Sequence, residues 1–176
     1  MTVKASYTSE EWTTLARSAA MVGLGMLAVS NSGPVGKLRE LGALSRCWKR
    51  RALPRELRQS TLVVALLDEA RRHTWLPLSP AKHSAFDQSA EAILLARRRM
   101  VDAAGQAATL VASRACRREA EGFARWLLWI AEQVAGASGD GWLGMGRRIS
   151  DAERYVLGQL ADTLRGVTRV PAPTAD

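Results

Sequence analysis

Apolar residues recur along this chain every three to four positions, and nowhere do they alternate over a stretch long enough to make a strand. The pattern predicts an all-α fold: a single domain packed as an irregular bundle of five to six helices. Thr8-Ser9-Glu10-Glu11 announces the first helix as a capping box. The Thr8 hydroxyl can accept from the Glu11 amide while the Glu11 carboxylate reaches back. Trp12, Leu15, Ala19, Val22 and Met26 then fall on one face, and Gly23 and Gly25 leave room for a neighbouring helix to come close. "SNSGP" ends this helix. Pro34 suits the first turn of a second, expected from Pro34 to Arg51 with Leu38, Leu41, Leu44 and Trp48 on its apolar side.

A third helix is expected from Pro54 to His73, with Leu57, Leu62, Leu66 and Ala70 facing inward; the prolines of "WLPLSPAKHS" then read as a loop. The fourth, from Ser84 to Ala112, carries Ile93, Leu94, Met100 and Val101, with a bend at Gly105. After a break at Ser113–Cys116, the fifth runs from Arg117 to Ala135. Phe123, Leu127, Ile130 and Val134 form its stripe, with Trp126 beside them. Leu128 and Trp129 lie off that stripe, so this helix is apolar around most of its circumference. It is expected to be the central helix of the bundle, or one side of a self-association contact through Leu128 and Trp129. Ser150 and Glu153 make a second capping box, opening a last helix that ends near Gly166. The domain is therefore read as residues 1–166, with 167–176, "VTRVPAPTAD", as a disordered tail.

Composition changes this picture little. A chain of 176 residues with 47% hydrophobic and 24% charged side chains can bury its own core without disulfide or metal staples. Cys47 and Cys116 fit no ligand or redox spacing, which points to idle thiols in a reducing cytoplasm. The longest apolar run, Ser18 to Ser30, is shorter than the roughly 20 residues a membrane span needs, so no membrane association is expected. It resembles a signal-peptide core, with Arg17 before it and Ala28-Val29-Ser30 like a cleavage site. Glu10 and Glu11, standing where such a segment is basic, argue against export.

Charge changes it more. The net charge is +8, and +6 of it falls between residues 36 and 60. Within "KLRELGALSRCWKRRALPRELR", Arg39, Arg46 and Arg50 are expected on one outer stripe of the second helix. Lys49, Arg51, Arg55 and Arg58 extend it across the junction to the third. Such a surface suits phosphates or an acidic partner. Because Trp48 falls on the apolar side, base stacking is not expected. Neutralising three phosphates would make affinity fall about 40-fold between 50 and 200 mM salt. The alternative is a solvated helix face whose arginine stems cover apolar surface.

The glycine-rich "GDGWLGMGRRIS" invites a phosphate-cradle reading. It follows a helix, lacks a lysine, and runs into a capping box that already engages the amides an anion would need. A connector is the better reading. His73 and His83 flank a proline-rich loop without clustered acids, so no metal site, no cofactor and no nucleophile–base pair is expected. Glu119 with Glu121 reads as adjacent charges on a solvated face.

"YTSEEWTTL" (Tyr7–Leu15), "MVGLGMLAVSNSGPVG" (Met21–Gly36), "FARWLLWIAEQVAGAS" (Phe123–Ser138) and "GWLGMGRRISDAERYVLGQLADTL" (Gly141–Leu164) cover about half the chain. In that order they resemble a family of small, largely uncharacterised bacterial all-helical proteins. The resemblance implies a compact helical domain and carries no catalytic residues. From Asp140-Gly141 to Glu153 the chain more loosely resembles tellurite-resistance-associated helical domains. Those pair such acidic positions at a metal, a pattern from which the glycine-rich insertion departs.

The function expected is that of a helical binding or structural protein, not an enzyme, acting through protein–protein contacts that include self-association. Non-specific binding of nucleic-acid phosphates through residues 37–58 is the alternative. An enzyme whose site leaves no mark in sequence spacing is the third reading.

Overall fold

A computed structural model describes residues 3–73, 89–137 and 149–169. Among these residues there are six α-helices and no strand: α1 Ser9–Val29, α2 Gly33–Cys47, α3 Thr61–His73, α4 Ala90–Arg114, α5 Arg117–Ala135 and α6 Asp151–Arg169. The all-α bundle expected from periodicity is the fold.

Local signals set most of the helix ends. At α1 the Thr8 amide donates to Glu11 Oε2 at 2.8 Å and the Glu11 amide to Thr8 Oγ1 at 3.1 Å, so both halves of the capping box form. At α6 the Ser150 amide donates to Glu153 Oε2 at 2.8 Å and the Glu153 amide to Ser150 Oγ at 3.3 Å. Helix α5 has the boundaries its periodicity predicts. Helix α6 continues beyond Gly166 to Arg169, so the first three residues of the expected tail are helical; 170–176 lie outside the described residues.

Three helices are shorter than expected. Helix α4 begins at Ala90, capped by the Ser89 side chain, not at Ser84, and runs two residues beyond Ala112 to Arg114. Helix α2 stops at Cys47 and α3 begins only at Thr61; the chain between them makes two short 3-10 turns, Arg50–Ala52 and Leu57–Gln59. Pro54 lacks the amide a continuing helix would use, and Leu53 and Leu57 are buried there, tying the turns to the core.

Helices α1 and α5 form the centre, and each packs against all the other helices. Helices α1 and α4 run antiparallel. Arg114 near the end of α4 bonds Glu11 at the start of α1 at 2.7 Å, while Gly25 near the end of α1 meets Met100 in the first half of α4. A Cβ at Gly25 would lie 2.6 Å from Met100 Cβ, and one at Gly23 2.2 Å from Leu44 Cδ1. The two glycines thus admit α4 and α2 respectively, the close approach expected of them.

Trp12, Leu15, Ala19, Val22 and Met26 are buried, as are Leu62, Leu66, Phe123, Leu127 and Ile130. Trp48 meets Trp126 edge to face, with centroids 6.0 Å apart. The contribution of α4 is mainly small: Ala104, Ala107, Ala108 and Val111 line its buried face with Met100, while Leu94 is exposed. Helix α1 is long and apolar enough by length and composition to cross a bilayer, and in this fold most of that apolar segment is buried inside the bundle.

Candidate functional site

The second helix departs from its expected orientation in an informative way. Leu38 is 69% exposed, whereas Lys37 and Glu40 are inside. Helix α1 explains the exchange. Its last turn leaves carbonyl oxygens without helical partners, and the Lys37 ammonium donates to those of Leu27 and Ser30. A cation at a helix C-terminus is also favoured by the helix dipole.

Glu40 stands on the same side of α2, one oxygen accepting from the Ser30 hydroxyl and the other 4.0 Å from Lys37 Nζ. Burial raises the Glu40 pKa, against the pull of Ser30, Ser32 and Lys37, and the charge of Glu153 pushes the same way as burial. Burial lowers the Lys37 pKa, against Glu40 and Glu153. A buried cation therefore joins the end of α1 to α2 and lies within the field of the α6 cap. One oxygen each of Glu40 and Glu153 makes no hydrogen bond among the described residues. With its ammonium committed to two carbonyls, Lys37 is a structural lysine.

Because Lys37 and Glu40 cancel inside the bundle, the +6 of residues 36–60 is carried entirely at the surface. Arg39, Arg46, Lys49, Arg50, Arg51, Arg55 and Arg58 are all exposed. None of them forms a salt bridge with a carboxylate among the described residues. Arg39 and Arg46 share α2, but Arg50 does not continue their stripe; it belongs to the 3-10 turn after α2. That turn redirects the chain so that Lys49, Arg50, Arg51 and Arg58 surround one open depression. Arg58 is held in place: Nε donates to the Leu53 carbonyl at 2.8 Å and Nη2 to that of Arg51 at 3.0 Å. Arg46 lines a separate cleft, and Trp48 is buried.

Leu128 and Trp129 are both half-buried against the core, and they open into different hollows. Leu128 lines a groove between α5 and α6, whereas Trp129 lines the cleft that Arg46, Cys47 and Glu132 share between α2 and α5.

Glu119 corrects the sequence reading. It reaches from α5 to the start of α3 and accepts from Ser60 Oγ at 2.6 Å, Thr61 Oγ1 at 3.0 Å, and the Thr61 and Leu62 amides at 3.1 Å each. It caps another helix. Burial would raise its pKa, but these bonds outweigh burial and hold it below the usual value. No local spacing announces this; the signal is that Ser60-Thr61 opens a helix with no acid three residues on.

Little here suits covalent or metal chemistry. Burial pushes the Cys47 thiol up to about 12, which suppresses the thiolate. Among the described residues no three His, Cys, Asp or Glu side chains gather as metal ligands. The glycine-rich stretch with Asp140, the His83 loop and the side chain of His73 lie outside the described residues. No protein-family model, curated protein or solved structure matches the chain.

Proposed function

We propose that this chain is a non-enzymatic helical binding protein whose docking surface is the cationic edge between α2 and α3, and whose partner is a phosphate polyanion. One observation carries the reading: Lys49, Arg50, Arg51 and Arg58 gather round one depression, and among the described residues no carboxylate pairs with any of them. Four unpaired cations on an open surface suit a line of phosphates. Among the described residues no aromatic side chain lines the depression, and Trp48 is occupied inside against Trp126. This favours contact with the nucleic-acid backbone over base stacking, and over a protein interface, whose Trp, Tyr or Arg anchors sit in packed, desolvated pockets and not round an open depression. A reducing cytoplasm suits its two free cysteines.

Protein–protein contact, including self-association, is the second reading, favoured by the half-buried Trp129 at the cleft between α2 and α5. The test is fluorescence anisotropy with a labelled random-sequence DNA duplex at low salt. Wild type is expected to bind, and Lys49→Glu/Arg50→Glu/Arg51→Glu to lose binding. These side chains make no hydrogen bond among the described residues, so the variant is expected to stay folded. Absence of wild-type binding, or equal binding by the folded variant, would remove the reading.

A further inference from the structure

The groove between α5 and α6 has a volume of about 370 Å³. Its apolar lining is Ala124, Leu128, Ala161 and Leu164, of which Ala124 and Leu164 are buried. Alanines at facing positions of two packed helices leave the hollow that larger side chains would fill. Three guanidinium groups stand at its rim, and their pairing differs. Arg117 bonds Glu121 at 2.8 Å and Arg165 bonds Asp162 at 3.1 Å. Arg125 is exposed and among the described residues bonds only the Glu121 carbonyl, at 3.3 Å. Glu121 lines the groove as well, its carboxylate taken up by Arg117, so the groove offers an apolar floor beside one guanidinium, Arg125, that bonds no carboxylate among the described residues.

Charge and size decide the occupant. A second copy placing the same groove against this one would set two rims of like net charge face to face, each with Arg117, Arg125 and Arg165 against the single acid Glu121, which disfavours a symmetric contact. A volume of about 370 Å³ lies instead at the small end of ligand pockets. We infer that the α5–α6 groove is a binding site for a small amphipathic carboxylate of the medium-chain fatty-acid class. Its chain lies over Leu128, Ala124, Ala161 and Leu164, and its carboxylate meets Arg125. The site is separate from the cationic edge, so either assignment can fail alone.

Isothermal titration of the full chain with laurate, below its micelle concentration, tests this. Laurate is expected to bind one site per chain, and Arg125→Glu to weaken it at least about tenfold, the effect of losing one charge-assisted bond. Ala161→Phe, which fills the groove, is expected to remove binding, while Arg51→Glu leaves it unchanged. Circular dichroism checks that each variant is folded; Arg125, being exposed, is expected to be replaceable without loss of fold. Dodecanol or dodecyltrimethylammonium binding as tightly as laurate would overturn the assignment. So would an unaltered laurate isotherm in Arg125→Glu, or sedimentation showing that the groove is closed in a stable dimer.

Discussion

Lys37 Nζ and Glu40 Oε2 face each other at 4.0 Å inside the bundle, on a helix whose Leu38 points to solvent. The ammonium also holds two carbonyls at the end of α1. Removing one partner of such a buried pair leaves the other uncompensated. Lys37→Met is expected to cost about 3–5 kcal/mol in urea unfolding. Lys37→Met/Glu40→Gln should cost clearly less, because the remaining amide is neutral. If the two changes simply add, the pair is not coupled.

The raised Glu40 pKa gives a pH signature. Unfolded, this carboxyl titrates near 4.5; folded, it holds its proton to higher pH. As pH rises above 4.5, the unfolded state therefore binds fewer protons than the native one, and this group's contribution to stability declines until the folded pKa is passed. Unfolding free energies of wild type and Glu40→Gln, measured from pH 4 to pH 8, should show the difference moving in favour of Glu40→Gln as pH rises. A difference independent of pH would contradict the assignment.

Glu119 has the opposite sign. Its pKa is lowered in the fold, so the stability it contributes is present above the ordinary carboxyl range and lost as pH falls through the folded value. Glu119→Ala is expected to cost about 2 kcal/mol at neutral pH, the worth of a charged cap, and less at acid pH. Hydrogen exchange should show the opening turn of α3 loosening first. Uniform loss across the bundle would argue against a local cap.

The Gly25 contact predicts a specific coupling. A methyl group there meets Met100 Cβ, an atom that no side-chain rotation moves away. Gly25→Ala should therefore cost about 1–3 kcal/mol by thermal unfolding, despite the better helix propensity of alanine. The cost should shrink in a Met100→Gly background and persist in Met100→Ala. Equal costs in both backgrounds would show that α4 simply shifts.

The elements announced by local chemistry were readable from the chain: both capping boxes, the α5 stripe, and the close approaches at Gly23 and Gly25. What stayed hidden depends on partners distant in sequence. No local signal marks Lys37 and Glu40 for burial; the unsatisfied end of α1 draws them inside while Leu38 turns out. Glu119 looks like a neighbour of Glu121 until α3 arrives at its carboxylate. The cationic segment was visible by composition, but its shape was not. The end of α2 at Cys47 and the turn after it, not a continuous helical stripe, bring Lys49, Arg50 and Arg51 beside Arg58.

The salt dependence of duplex binding tests the central claim most directly. If Lys49, Arg50, Arg51 and Arg58 each displace one counterion, the plot of log affinity against log salt should have a slope of about −3.6, an affinity loss of about 150-fold between 50 and 200 mM. The slope should become shallower by about 0.9 for each of the four cations replaced. An affinity indifferent to salt, or a slope unchanged when these cations are replaced, would contradict a phosphate-binding edge.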